Sequence, residues 1–207
     1  MKNLKIILTI ALSVAFTSCI VVKNDTIEQS SDKQIINLSP KPAMTMSDEI
    51  VRSGEGDMIA FLPKDWFFIN ILDDTSADIF ATASNNDYTL AAVFTKQSPS
   101  PESMEIIRRE GVIGLARIFF NKKLNKSAGS IKQIGSTSKV TMGPLEFGQY
   151  DYISSANTEK CRSAVFVSSS GTYYEFSLIP MTFRGKQLPT QEEFNLIFSS
   201  ILATIQF

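Results

Sequence analysis

Residues 171–180 read Gly-Thr-Tyr-Tyr-Glu-Phe-Ser-Leu-Ile-Pro, and this stretch decides the fold of the chain. Two sets of side chains alternate along it, Tyr174, Phe176 and Leu178 in one set and Tyr173, Glu175 and Ser177 in the other. Because successive side chains of a strand point to opposite faces, the alternation predicts a strand with one buried face. The rest of the chain must then supply a sheet and the elements that cover it.

A helix is predicted after this strand. Thr190 and Glu193 form a capping box, and the buried face of the helix comes from Phe194 and the apolar residues that follow it at helical spacing. Residues 204–207 are apolar at three of four positions if Thr204 is counted for its methyl group, and they are interpreted as a short closing strand.

Upstream of residue 171, short segments rich in β-branched and aromatic residues alternate with turn residues, which predicts antiparallel strands. The segments are 58–62, 66–72, 77–83, 88–95, 130–134, 138–142, 146–155 and 162–167. A long helix begins between them, with Ser100 as its cap and Pro101 at its first position. Gly111 and Gly114 in this helix are expected to allow close approach to the sheet. The fold class is α+β, a largely antiparallel central sheet with helices on both faces.

The N-terminus is built like a bacterial lipoprotein signal. Lys2 and Lys5 precede an apolar run at 6–16, and residues 16–19 read Phe-Thr-Ser-Cys. These four residues resemble a lipobox, which implies cleavage after residue 18 and a diacylglycerol thioether on Cys19. The alternatives are an ordinary secretory signal and a membrane helix, but the run is much shorter than the roughly 20 residues that span a bilayer.

Residues 19–53 are interpreted as a lipidated flexible tether and residues 54–207 as one globular domain. The tether is rich in polar residues and lacks a sustained apolar period. Its short apolar pieces, at 35–36 and 44–51, are able to dock on the domain.

Composition excludes several classes of function. The chain has 20 basic and 21 acidic side chains with both signs interspersed, which argues against nucleic-acid binding. It has no histidine, which removes Ser-His-Asp and Cys-His nucleophilic systems and most zinc sites. We therefore expect no enzymatic activity and no cofactor. The basic run at 121–126 is interpreted as a solvated helix end.

Cys161 has no intramolecular partner if Cys19 carries lipid. Its basic neighbours, Lys160 and Arg162, are of the kind that activate a thiol. The preferred interpretation is a packed, unreactive cysteine, because the chain has no histidine base.

Two segments of the sequence resemble those of a known family. The first segment, residues 61–66, reads Phe-Leu-Pro-Lys-Asp-Trp. The second consists of residues 171–176 together with 194–207 at the C-terminal end. Together with the order of elements over 58–207, they resemble the α/β/α sandwich of PsbP, the yeast Mog protein and the bacterial DcrB and LpqN proteins. The resemblance implies an accessory or adaptor protein more often than an enzyme, and it carries no shared set of functional residues.

Candidate binding residues are few. Asp73, Asp74 and Asp78, in and after a turn, offer hard oxygen ligands to a cation, against the alternative of a solvated acidic turn. Trp66 and Tyr173 are candidates for a ligand or partner face.

The sequence predicts a lipid-anchored protein of the bacterial envelope whose domain is a non-catalytic binding or accessory module for a protein complex. The alternative is a carrier or sensor that holds a small ligand or cation near Trp66 and the acidic turn. Ile20 stands where inner-membrane lipoproteins of enterobacteria carry Asp, so by that resemblance the outer membrane is favoured, with the domain facing the periplasm.

Overall fold

The computed structural model of the chain describes residues 34–38, 41–70, 78–155 and 157–207. Within them the elements follow in the order β1 (Gln34–Leu38), β2 (Met46–Arg52), β3 (Ile59–Pro63), β4 (Phe67–Phe68), β5 (Ile79–Ser84), β6 (Leu90–Gln97), α1 (Pro101–Lys126), β7 (Ile131–Met142), β8 (Leu145–Ser154), β9 (Asn157–Val167), β10 (Tyr173–Pro180) and α2 (Gln191–Leu202). The predicted signal peptide and Cys19 lie outside the described residues. No helix in the four described ranges is both long enough and apolar enough to cross a membrane.

In the described ranges, eight strands form one sheet in the order β1-β7-β8-β9-β10-β6-β5-β4. Neighbouring strands are antiparallel except β1 and β7, which are parallel. β2 and β3 form a separate antiparallel pair, and Ile59 of β3 bridges Gln206 near the C-terminus. β10 lies between β9 and β6, away from both edges of the sheet.

Each face of the eight-stranded sheet carries its own apolar core. α1 packs on one face, in a cluster that includes Val165 and Tyr173. Their chain neighbours Phe166 and Tyr174 belong to the other cluster, which α2 and the β2-β3 pair cover. Because adjacent strand residues point to opposite faces, the two clusters lie on opposite sides of the sheet. The predicted α+β class, with a largely antiparallel central sheet and helices on both faces, is confirmed.

The structure corrects the predicted boundary between tether and domain at residue 54. Gln34–Leu38 pairs with β7, and Met46–Arg52 pairs with β3, so both short apolar pieces belong to the fold. Val51 is 1% exposed. The sequence shows no alternating apolar pattern for β2, because Val51 is its only fully buried residue and its other side chains are partly or fully exposed.

The ends of several strands also differ from prediction. The segments at 130–134 and 138–142 form one strand, β7, whose pairing with β8 shifts register between Ile134 and Ser138. The predicted closing strand at 204–207 makes a single bridge, through Gln206. Of the predicted strand at 66–72, the described part forms only Phe67–Phe68.

α1 begins as predicted and bends where a glycine allows it. The Ser100 side chain accepts a hydrogen bond from the backbone N–H of Ser103, 3.1 Å away. Gly111 adopts φ 62°, a conformation that favours glycine, and interrupts the helix. The expected close approach to the sheet is not made at Gly111, where a Cβ would meet nothing within 4 Å. At Gly114 the nearest atoms to a Cβ belong to Ile106 and Glu110 of the same helix, not to the sheet. The close approach occurs at Gly148 of β8, where a Cβ would lie 2.1 Å from the carbonyl oxygen of Val112.

Candidate functional site

A buried carboxylate, that of Glu175, lies at the centre of the sheet under α1. β10 directs Glu175 toward the α1 face, opposite to Tyr174, and the residue is 4% exposed. Lys123, in the last turns of α1, extends its ammonium group to 3.1 Å from the Glu175 carboxylate. The two residues form an ion pair between helix and sheet in which Glu175 is buried and Lys123 is partly buried. The lysine charge offsets the cost of burying the carboxylate.

Hydroxyl groups complete the surroundings of this ion pair. Tyr150 of β8 donates a short hydrogen bond to Oε1 of Glu175. The Lys123 ammonium group also lies 3.1 Å from the Ser177 hydroxyl and 3.3 Å from that of Ser163, and these two hydroxyls are 2.7 Å apart. The network joins α1 to three strands. The predicted solvated helix end at 121–126 is therefore corrected at Lys123, whose side chain is only 24% exposed.

The environment keeps the neighbouring tyrosines neutral. Burial raises the pKa of Tyr150 well above its usual value, and the Glu175 charge raises it further. Burial likewise raises the pKa of Tyr152. Both phenols therefore stay protonated at physiological pH, where Tyr150 donates to Glu175 and Tyr152 accepts from Lys123 at 3.4 Å.

Cys161 lies in the same cluster, and burial acts on its thiol as it acts on the phenols. It is 2% exposed, and burial raises the pKa of its thiol to about 11, although the Lys123 charge acts in the opposite direction. A nucleophilic cysteine requires the thiolate, which is scarce at neutral pH when the pKa is this high. This confirms the preferred interpretation of Cys161 as a packed residue.

A cavity of about 170 Å³ opens beside the ion pair, between the C-terminal half of α1 and strands β5, β6 and β10. Glu175 and Thr95 supply polar atoms to its lining, and Ile79 and Phe119 supply apolar wall. Asp78 and lysines 96, 122, 123 and 126 also line it.

Asp78 is the one residue of the predicted cation site that the structure describes. Its carboxylate forms ion pairs with Lys126 at 2.7 Å and Lys122 at 3.0 Å. Hydrogen bonds from Lys126 and then Lys122 lower the pKa of Asp78. Ammonium groups already occupy the place that a cation would take at this carboxylate. Asp73 and Asp74 lie outside the described residues, and the described part of the chain contains no group of three or more potential metal ligands.

Trp66 and Tyr173 do not form an exposed face, and this prediction is corrected. Trp66 is 8% exposed and packs in the core under α2, and Tyr173 is 4% exposed and packs in the core under α1. Strand alternation correctly put Tyr173 and Tyr174 on opposite faces. It could not show that helices cover both faces of β10.

An aromatic cluster that the sequence analysis did not single out lies on the surface near the β4 edge of the sheet. Its members are Phe67, Tyr88 and Phe183. The Tyr88 ring is 5.3 Å from that of Phe67 and 5.8 Å from that of Phe183. Tyr88 is 47% exposed and Phe183 is 51% exposed. The three residues come from a strand and two loops, so no local pattern in the sequence indicates the cluster.

A second carboxylate, Asp57, ties the loop after β2 to the loop between β9 and β10. Its Oδ1 accepts hydrogen bonds from Tyr174 at 2.6 Å and Ser53 at 2.8 Å. Its Oδ2 accepts from Ser168 at 2.5 Å and from Ser170. Burial acts to raise the pKa of Asp57, but the four hydroxyl donors outweigh it and hold the pKa well below its usual range. This arrangement is structural, since all four donors belong to the fold.

Asp57→Asn is expected to destabilise the protein at neutral pH by about 1 to 2 kcal/mol, because the asparagine NH₂ group faces donors. A carboxylate with a depressed folded pKa stabilises the fold above its unfolded pKa of about 3.9, and this contribution is lost as pH falls further. Urea unfolding of both proteins between about pH 7 and pH 3 should therefore show their difference shrinking below about pH 4. A difference that stays constant with pH would contradict the assignment.

Comparison with known proteins gives the fold. No protein-family profile and no curated protein sequence matches the chain. The structure is similar to cyanobacterial PsbP (CyanoP) from Synechocystis sp. PCC 6803, with a TM-score of 0.56 and 10% identity over 76% of this chain and 91% of that chain. Lower scores are found with the Ran-binding protein Mog1p of Saccharomyces cerevisiae (TM-score 0.47, 12% identity, 78% of this chain and 96% of that one). A lower score is also found with LpqN, involved in cell envelope biogenesis of Mycobacterium tuberculosis (TM-score 0.39, 10% identity, 78% of this chain and 92% of that one). The likeness to CyanoP confirms the predicted PsbP-like fold and, at this identity, shows the fold alone.

Proposed function

We propose that the protein is a lipid-anchored envelope lipoprotein whose folded domain is a non-catalytic binding module for an envelope protein. The lipobox-like residues 16–19 support the anchor on Cys19. Ile20 supports the outer membrane as its location, with the domain facing the periplasm. The PsbP-like fold supports a scaffold of the kind used by accessory proteins. The partner-binding face is the aromatic cluster of Phe67, Tyr88 and Phe183.

The conformation of Tyr88 carries this proposal. Tyr88 adopts φ 57°, in the left-handed region, where a residue with a bulky side chain is disfavoured by roughly 1 to 2 kcal/mol. The conformation holds the ring between Phe67 and Phe183, with nearly half of the residue exposed. Backbone strain that presents an aromatic ring to solvent is better explained by binding than by stability. Aromatic anchors of this kind dominate the binding energy of protein interfaces.

The neighbouring edge of the sheet suits the same role. Among the described strands, β4 is the last one of the sheet, and none of them pairs with its outer side. Phe68 in this strand is 42% exposed. A partner protein that places an apolar surface on the aromatic cluster therefore also comes within reach of the outer side of β4.

Tyr88→Asn is expected to reduce partner capture by at least about tenfold without lowering stability. Asparagine tolerates the left-handed conformation, so the loss of ring contacts is offset by relief of strain. The measurement is in vivo cross-linking in native cells that carry tagged full-length protein, with quantitative mass spectrometry of the captured proteins and a melting temperature for each variant.

Two further variants test whether the loss of capture is specific to the aromatic cluster. Met104→Gln changes a residue that is 58% exposed on α1 and is expected to leave capture unchanged. Cys19→Ser is expected to lose both membrane anchoring and capture. Full capture by Tyr88→Asn, together with loss in Cys19→Ser, would show that the partner binds elsewhere on the domain.

A further inference from the structure

We propose that the cavity beside Glu175 binds an uncharged, ring-sized molecule that carries one hydroxyl or N–H donor. This site is separate from the aromatic cluster, and the inference does not depend on partner binding. It shares Asp78 with the ligand site expected from sequence, since Asp78 lines the cavity, but neither Trp66 nor a cation takes part in it.

The size and walls of the cavity set the shape of the ligand. Its volume of about 170 Å³ is close to that of an engineered apolar cavity of about 150 Å³ in another protein, which binds benzene. Ile79 and Phe119 provide apolar wall, and the lysine side chains contribute their methylene stems. A single six-membered ring fits these dimensions, and a two-ring system approaches their limit.

The hydrogen bonds of Glu175 set the polar requirement. Tyr150 and Lys123 both approach Oε1. Oε2 receives one long hydrogen bond, 3.4 Å from the Thr95 hydroxyl, and Thr95 itself lines the cavity. A carboxylate oxygen accepts about two hydrogen bonds, so Oε2 has acceptor capacity next to the apolar wall. A ligand donor that meets it gains a charge-assisted hydrogen bond in a site of low dielectric.

Charges around the cavity exclude ionic ligands. Lys122 and Lys126 pair with Asp78, which also lines the cavity, so a cation would have to compete with two ammonium groups for this carboxylate. The Glu175 carboxylate disfavours an anion at the polar wall, because two close negative charges in a buried site repel strongly. A neutral donor such as a phenolic hydroxyl or an indole N–H satisfies both conditions.

The test compares phenol with toluene, which has the same shape but carries a methyl group in place of the hydroxyl. Full-length protein with ¹³C-labelled isoleucine methyl groups is titrated with each probe in the same nonionic detergent. Phenol is expected to shift the Ile79 methyl resonance and leave that of Ile134 unchanged, since Ile134 does not line the cavity. Its affinity should exceed that of toluene by about tenfold or more, the ratio expected for a hydrogen bond to a charged acceptor. Equal affinities, or no saturable shift with either probe, would overturn the proposal.

Two variants locate the binding. Ile79→Trp fills the cavity from its rim at a residue that is partly exposed, and it is expected to abolish saturable phenol binding with little change in melting temperature. Glu175→Gln replaces the charged acceptor by an amide and is expected to remove most of the preference for phenol over toluene. Phenol binding that persists in Ile79→Trp, or an unchanged preference in Glu175→Gln, would overturn the assignment of the site.

Discussion

Gly148→Ala is expected to destabilise the protein by about 3 kcal/mol and to lower its melting temperature by about 6 to 12 °C. The added Cβ would lie 2.1 Å from the carbonyl oxygen of Val112 and 2.8 Å from its carbonyl carbon. It would also lie 3.1 Å from the Cβ of Ala116. The nearest two atoms are backbone atoms of α1, so no side-chain rotation can relieve the overlap.

Either α1 or β8 must therefore move. Gly148 pairs with Lys139 of β7 and Val165 of β9, which fixes its strand on both sides. A displaced α1 would pull Lys123 away from Glu175 and open the core around Phe119. The cost is thus higher than for an added methyl group that meets only side chains.

Gly54→Ala is the matched control. Gly54 has no left-handed backbone conformation, and a Cβ built there meets nothing within 4 Å. The melting temperature of the Gly54→Ala protein should stay within about 2 °C of that of the parent protein. The measurement is thermal unfolding followed by circular dichroism. If the two alanine variants melt together, α1 does not contact β8 at the distance described.

Lys123→Met is expected to cost about 3 kcal/mol of unfolding free energy. Methionine preserves most of the length of the side chain but removes the positive charge from a carboxylate that is 4% exposed. Glu175 then keeps hydrogen bonds from Tyr150 and Thr95 but loses the ammonium group that lies 3.1 Å from its carboxylate. An uncompensated buried charge is among the few single changes that destabilise by this much. Urea denaturation at neutral pH measures the loss.

Two comparisons isolate the cause. Lys122→Met changes the neighbouring lysine, which pairs with Asp78, and Asp78 keeps Lys126. Its cost should stay below about 1 kcal/mol, as for other exposed ion pairs. The double variant Lys123→Met/Glu175→Gln removes both charges and should regain about half of the stability lost in Lys123→Met. A double variant less stable than Lys123→Met would show that lost packing, not the unpaired charge, is responsible.

The candidate site was only partly visible in the sequence. Alternation around Tyr174 placed Glu175 on the opposite face of the same strand, which the structure confirms. The same pattern suggested that Tyr173 was exposed, because a period of two reports which side of the strand a residue occupies and not what covers that side. Lys123 was assigned to a solvated helix end, since nothing in a run of charged residues marks the one whose side chain passes into the core.

The sequence by itself determined the α+β class, the positions of most strands between residues 58 and 180, and the starts of both helices. The Ser100 and Thr190 caps are confirmed because a capping hydrogen bond joins residues three positions apart and depends on little else. Only the tertiary structure decided that Lys123 pairs with Glu175 and that the backbone of Val112 packs directly against Gly148. It also decided that Phe67, Tyr88 and Phe183 lie together on one surface. These contacts join elements far apart in the chain. Their geometry follows from the order of strands in the sheet and from the bend at Gly111, which are set by the packing of the whole chain and not by any local pattern of residues.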